Sequence, residues 1–221
     1  MDDLIISIPF YNEKKNLVKT LDQVKNEKNL LLIDDGSTDG YSLDEKYKKK
    51  LIKHRQNMGY GKAVKSASLY ARQNNYKYFV IFPGDNQRDF KDVKKLYEQI
   101  VSDQNLAYVV GSKFHLLPTV PFRRKIGNLL FSKISRLWGN KNQDVLSGFK
   151  IYNNEKCFEV INKCPDDYSF DLAFNFLSNK KSLLSKELYT FCNYKNQTSK
   201  IKNLFYTFLV MIYGLLRTSL K

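Results

Sequence analysis

Histidine occurs twice, cysteine three times and tryptophan once in a chain of 221 residues. The cysteines, Cys157, Cys164 and Cys192, are odd in number, and neither they nor His54 and His115 form a close metal-binding spacing. That scarcity argues against a zinc site, and it favours reduced thiols over a disulfide framework. No apolar run approaches the roughly 20 residues that a membrane-spanning helix requires. The start, Met1-Asp2-Asp3, has no basic region ahead of an apolar stretch and does not read as a signal peptide. Neither a P-loop lysine nor a dinucleotide glycine fingerprint is present, which speaks against ATP hydrolysis and nicotinamide chemistry. Repeats, low-complexity tracts and flexible linkers are missing too. Residues 1–198 are therefore expected to form one domain, with 199–221 as an appended amphipathic segment.

What the chain has in excess is positive charge. Lys and Arg number 37 against 22 Asp and Glu, a formal net charge of +15. Such a balance favours polyanions, whether nucleic acid, anionic head groups or phosphorylated ligands. Many of the lysines lie in Asn- and Ile-rich surroundings, where a biased genome accounts for them equally well. Hydrophobic residues make up 43% and charged residues 27%, a globular composition.

Along the chain, short apolar runs alternate with helical periodicity. Strands are expected at Leu4 to Ile8, Leu30 to Asp35, Leu51 to Arg55, Tyr78 to Phe82 and Ala107 to Val110. Helices are expected between them, at Glu13 to Val24, Leu43 to Lys50, Ala63 to Ala71 and Val93 to Val101. This alternation predicts an α/β fold, a mostly parallel sheet with helices on both faces. Beyond Gly111 the pattern changes to a basic helix over Phe122 to Leu137, a short strand at Lys150 to Tyr152 and helices near Glu155 to Ile161 and Phe170 to Leu177.

The most informative segment is the apolar run ending in Asp34-Asp35-Gly36-Ser37-Thr38-Asp39. Polar residues at the carboxyl end of a parallel strand lie where open α/β sheets bind ligands. A helix cap or Asx turn accounts for Ser37 or Asp39. It does not account for two adjacent carboxylates, whose repulsion points to function. Glu13 follows the first strand and Asp85 the fourth, so acids gather at three strand ends. Convergent oxygen donors in a basic protein suit Mg2+ or Mn2+ together with a polyphosphate ligand. Lys62, Arg123 and Arg124 are then candidates to assist a departing diphosphate.

Five segments carry a family resemblance: Pro9-Phe10-Tyr11-Asn12-Glu13, Asp34-Asp35-Gly36-Ser37-Thr38-Asp39, Asn57-Met58-Gly59-Tyr60-Gly61-Lys62-Ala63, Gly84-Asp85-Asn86-Gln87 and Asp144-Val145-Leu146-Ser147-Gly148-Phe149. In this order they resemble family 2 glycosyltransferases, and within them the dolichyl-phosphate mannose synthase and polyprenyl-phosphate sugar transferase branch. The resemblance implies a GT-A fold, a GDP- or UDP-sugar donor, a divalent metal and inversion at the anomeric carbon. It implies that Pro9, Tyr11, Glu13, Asp34, Asp35 and Lys62 hold the nucleotide sugar. Asp85 would reach diphosphate and metal, with Gln87 as second ligand. Asp144, Ser147, Lys113, Arg123, Arg124 and Lys200 would serve the acceptor side. Asp171 falls near an acid used elsewhere in the family as base or acceptor contact, so Asp144 and Asp171 join Asp85 as catalytic candidates.

Two departures stand out. Pro83 occupies the usual first acid of the metal motif, and Tyr194 and Gln197 stand where the lipid-phosphate branch often has Arg and Gly. Lys195 would offer a point charge without the arginine fork. A nucleotidyltransferase is the rival enzyme reading, but Pro9 to Glu13 lacks its glycine-rich, lysine-bearing loop. A nucleic-acid-binding module is the rival of another class, and strand-end acids oppose it.

Leu204 to Leu216 is largely apolar and flanked by Lys200, Lys202, Arg217 and Lys221. It reads as an interfacial helix that would hold the enzyme peripherally at the cytosolic face of a membrane. A terminal helix docked on the core is the competing reading.

Overall fold

The computed structural model describes residues 1–115, 122–137, 139, 141–193, 210, 212–214 and 217–218; side chains of 122–128 and 137 are not described. Its frame is a seven-stranded sheet: β1 (Leu4–Phe10), β2 (Leu30–Asp34), β3 (Leu51–Lys53), β4 (Tyr78–Ile81), β5 (Leu106–Ser112), β6 (Lys150–Asn153) and β7 (Leu184–Tyr189). The order across the sheet is β3-β2-β1-β4-β6-β5-β7. All pairings are parallel except those of β6, which runs antiparallel to both β4 and β5. The mostly parallel α/β architecture expected from the alternating pattern is thus present.

Seven helices accompany the strands: α1 (Lys14–Gln23), α2 (Glu45–Lys48), α3 (Tyr60–Gln73), α4 (Lys91–Ser102), α5 (Phe122–Leu137), α6 (Asn154–Lys163) and α7 (Phe170–Lys180). Strand alternation divides the core into two layers. On one face Leu4, Ile6, Ile8 and Phe10 pack with Leu17 and Leu21 of α1 and Val93, Leu96 and Ile100 of α4. On the other, Ile5, Leu31, Ile33, Phe79 and Ile81 meet Ala63, Val64 and Ala67 of α3 and Phe170 and Phe174 of α7. Each such fully buried side chain contributes about 1.5–3 kcal/mol. The small residues of α3 let that helix approach the sheet closely and set the first loop of β3–α3 beside the strand ends.

Three differences from the sequence expectation have physical causes. The edge strand β7 was not expected, because Leu-Ser-Lys-Glu-Leu-Tyr is half solvated and has no continuous apolar run. Charged residues on an edge strand are a common protection against further pairing. Helix α2 is a single turn rather than a helix over Leu43 to Lys50; within it only Tyr47 is buried. In the C-terminal region, Ile212 packs against the cluster of Phe131, Val145 and Leu172. Gly214 comes so close that a Cβ there would lie 2.1 Å from Ser169 Oγ. The core-docked reading therefore describes these residues, while Tyr213 between them is 66% exposed. The remainder of Leu204 to Leu216 lies outside the described residues. Among the described residues, no helix is long and apolar enough to cross a membrane.

Candidate active site

The chain winds β1, β2, β3 in one direction and then returns to place β4 on the other side of β1. A sheet with this switch point opens a crevice at the carboxyl ends of the diverging strands. That crevice is lined by Pro9 near the end of β1, Tyr11 and Glu13 after it, Asp35 after β2, Asn57, Gly59 and Tyr60 after β3, and Pro83 to Asp85 after β4. Tyr168, from the loop between α6 and α7, completes the rim.

Local chemistry fixes these loops against one another. The Asn12 backbone N–H donates to Ser37 Oγ at 2.9 Å, and Asn12 Oδ1 accepts from the Thr38 N–H at 2.8 Å. Asp39 accepts from the Lys14 N–H at 2.7 Å, so it serves the start of α1, not the helix that follows it in sequence. Gly36 has φ +77°, and a Cβ there would stand 2.3 Å from the Gln56 carbonyl carbon. Only glycine permits both that conformation and that approach. Opposite, a Cβ on Gly61 would lie 2.2 Å from Pro165 O, so the loop bearing Tyr168 is seated directly on the glycine turn.

The adjacent acids Asp34 and Asp35 have different fates. Asp34 is fully buried; Oδ1 accepts from the Ser37 N–H and Oδ2 from the Tyr41 hydroxyl, each at 2.7 Å. It lines no part of the crevice, so of the two acids expected to hold the donor only Asp35 is placed there. Successive strand side chains face opposite sides, so only one of two neighbouring acids reaches the rim. Burial and the Asp34 carboxylate together push the Tyr41 phenol well above its ordinary range. Asp35 does reach the crevice. Its Oδ1 accepts from the Met58 N–H at 3.0 Å and lies 2.7 Å from His54 Nδ1, and its Oδ2 accepts from the Gly59 N–H at 2.9 Å.

Asp85 lines the crevice, and its Oδ1 accepts from the Gln87 N–H at 3.1 Å. Gln87 follows in the same turn without being a lining residue. Among the described residues no group of three or more His, Cys, Asp or Glu converges as a metal cage. Mg2+ and Mn2+ take one or two protein oxygens and complete their shells with water and substrate phosphate. Asp85, with Gln87 beside it, would hold such an ion and neutralise charge on the leaving diphosphate.

The remaining candidates lie apart from the crevice lining. Lys62 begins α3, its backbone N–H donating to Asp166 O at 3.0 Å. Ser147 is buried; its hydroxyl donates to Gly111 O at 2.7 Å and accepts from the Arg88 guanidinium at 3.2 Å. Asp144 is buried, with Oδ2 accepting the Lys113 N–H at 2.9 Å and Lys113 Nζ 3.8 Å away. Its Oδ1 is buried without a hydrogen-bond partner among the described residues. Asp171 is buried against Lys150 at 2.5 Å. Burial raises its carboxyl above the usual carboxylate range, with Lys150 pulling the other way. The backbone of Arg123 and Arg124 belongs to α5 and their side chains are not described; Lys200 lies outside the described residues.

Sequence reasoning missed Arg88, Lys150, His54 and Tyr168. Arg88 is buried and donates to Thr190 Oγ1 at 3.0 Å as well as to Ser147. It thereby ties the Asp85 loop to the 147 turn and the end of β7. Nothing in a polar loop sequence distinguishes a buried arginine from a solvated one.

With this geometry in place, comparison with known proteins is specific. A model of glycosyl transferase family 2 matches residues 5–160. An uncharacterized protein of Methanocaldococcus jannaschii is 28% identical over 195 residues, covering 85% of this chain and 80% of that one. The UDP-N-acetylglucosamine–dolichyl-phosphate N-acetylglucosaminyltransferase of Methanococcus voltae is 31% identical over 177 residues, 69% of this chain and 70% of that one. Glucosyl-3-phosphoglycerate synthase of Mycobacterium tuberculosis, solved with Mn2+, UDP-glucose and glycerol 3-phosphate, superposes with a TM-score of 0.63 at 14% identity. That superposition covers 98% of this chain and 78% of the other, and establishes the likeness of fold. The motifs that shape the crevice fall within the matched segment, and the chain belongs to glycosyl transferase family 2 as a glycosyltransferase of GT-A fold.

Proposed function

We propose that the enzyme transfers a sugar, with inversion, from a GDP- or UDP-sugar to a polyprenyl phosphate, using Mg2+ or Mn2+. The observation that carries the reading is the distribution of acids. Among the described lining residues, the carboxylates are Glu13, Asp35 and Asp85, all on the strand ends assigned to the donor. Neither candidate base lines the crevice: Asp171 pairs with Lys150, and Asp144 is buried with Oδ2 on the Lys113 N–H and Oδ1 without a hydrogen-bond partner among the described residues. A sugar hydroxyl acceptor needs a base within hydrogen-bond reach. A phosphate acceptor is already ionised at neutral pH and needs only to be held in line behind the anomeric carbon. The kinship with a dolichyl-phosphate sugar transferase points the same way.

In this reading Asp35 and Glu13 hold the nucleoside, and Tyr11 and Pro9 shape its bed. Asp85 and the bound cation carry the diphosphate as it departs, while Lys113 and the basic face of α5 draw the acceptor phosphate. Arg123, Arg124 and Lys200 belong to that acceptor side, and a docked, part-exposed C-terminal segment would bring it to a membrane surface. A panel of nucleotide sugars, each incubated with polyprenyl phosphate and with Mn2+, Mg2+ or EDTA, tests the proposal. Nucleoside diphosphate release that requires both metal and lipid phosphate is the expected result. Metal-independent release, or release indifferent to the lipid phosphate, would reject it.

A further inference from the structure

Behind Asp35 stands a chain of two polar side chains, a buried His54 and a half-buried Ser66. His54, at the end of β3, is buried and turns its Nδ1 to Asp35 Oδ1 at 2.7 Å. Its Nε2 lies 2.9 Å from Ser66 Oγ, on the second turn of α3. An ionised carboxylate only accepts, so Nδ1 carries a proton; in the neutral imidazole Nε2 then accepts the Ser66 hydroxyl hydrogen. The carboxylate therefore selects the tautomer, and the serine hydroxyl, able to donate or accept, complements it at Nε2.

The arithmetic of Asp35 has a consequence for the ligand. A carboxylate offers about four lone-pair sites. His54 and the Met58 N–H occupy those of Oδ1, and the Gly59 N–H takes one of Oδ2. One acceptor site, on Oδ2, remains at the crevice. It fits a single donor group, an N–H of a base or a ribose hydroxyl.

We propose that His54 is a positioning residue for donor recognition: it fixes the Asp35 carboxylate so that Oδ2 presents that acceptor to the nucleoside. The inference rests on the donor reading of the crevice. Without the imidazole, Oδ1 keeps only the Met58 N–H and Oδ2 only the Gly59 N–H, and the carboxylate loses its one side-chain anchor among the described residues. Met58 and Gly59 sit in the loop that also seats Tyr168, so the rotamer of Asp35 and the shape of the rim are linked.

The test is calorimetric binding of GDP, UDP and inorganic pyrophosphate, each with Mn2+, to wild-type enzyme and to His54→Leu, His54→Asn and Ser66→Ala. His54→Leu is expected to weaken the better nucleoside diphosphate about tenfold or more, the scale of one charge-assisted hydrogen bond. Pyrophosphate, which lacks the nucleoside, is expected to bind as before. Asn places an amide N–H near the position of Nδ1 and is expected to restore most of the affinity. Ser66→Ala is expected to cost about two- to fivefold, since it removes only the tautomer partner. Equal nucleotide affinity in wild type and His54→Leu would overturn the inference alone. Parallel losses for nucleotide and pyrophosphate, unrescued by Asn and accompanied by a lowered melting temperature, would overturn it in favour of a purely structural histidine. A wild-type chain that binds neither nucleotide would reject the donor reading itself, and the inference with it.

Discussion

Lys150 and Asp171 face each other at 2.5 Å inside the molecule, with the lysine fully buried beneath the 147 turn. Lys150 Nζ also donates to the Ser147 carbonyl, and Asn175 Nδ2 donates to the Asp171 carbonyl at 2.7 Å. The pair ties β6 to the start of α7 beneath the 147 turn, and its geometry is that of a strut. Removing one partner of a buried pair leaves the other charge stranded, which costs about 3–5 kcal/mol. Lys150→Met is therefore expected to destabilise the protein on that scale, and Lys150→Met with Asp171→Leu to regain most of it. Urea denaturation of the single and double variants measures both. A stable Asp171→Asn variant that loses kcat alone would instead make Asp171 a base.

Asp85 lies at the surface of the crevice, so its replacement is expected to affect chemistry more than folding. Asp85→Asn keeps the shape and removes the charge, with an expected loss of roughly 3 kcal/mol in transition-state stabilisation, about a hundredfold in kcat. Steady-state kinetics over a Mn2+ titration, alongside a melting curve, separates the two. Wild-type turnover with unchanged metal dependence would remove Asp85 from the mechanism.

Arg88 joins three segments that are distant in sequence. Its donors reach Thr190 and Ser147, and its guanidinium carbon lies 5.2 Å from the Phe149 ring centroid. Arg88→Lys keeps the charge without the planar fork and is expected to cost about 1–3 kcal/mol. Hydrogen exchange at 84–88 and 190–192 is expected to rise together in that variant. An increase confined to 84–88 would show that β7 is held independently.

The close approach of Gly214 to Ser169 and the packing of Ile212 make residues 212–214 part of the fold. Gly214→Val forces side-chain atoms into space already filled and is expected to cost about 1–3 kcal/mol. Deletion of 204–221 is expected to lower the melting temperature, since Ile212 leaves the Phe131 cluster, and to reduce liposome binding as well. A deleted chain that melts as wild type would contradict the docking, and undiminished binding to anionic vesicles would contradict the membrane role.

Much of this was legible in the sequence, for reasons that individual residues make plain. Leu30 to Ile33 is an uninterrupted apolar run, and such runs report doubly covered parallel strands directly. Pro9, Tyr11, Glu13, Asp35 and Asp85 were brought together as expected, because strand ends on one edge of a parallel sheet converge whatever the loops do. The choice between Asp34 and Asp35 was hidden, since it depends on which face of β2 each occupies at the last residue of the strand. Lys150 and Arg88 were hidden for a different reason: a buried charge is decided by tertiary partners, and composition favours calling it exposed.

The chemistry of the acceptor decides whether the transfer needs a base at all. With the best donor of the panel, radiolabelled in its sugar, transfer is to be measured side by side to polyprenyl phosphate, to the dephosphorylated polyprenol and to a free glycan. The account predicts label in the lipid phosphate alone, with transfer abolished by EDTA. Label in the polyprenol or the glycan, with the lipid phosphate left unlabelled, would contradict it.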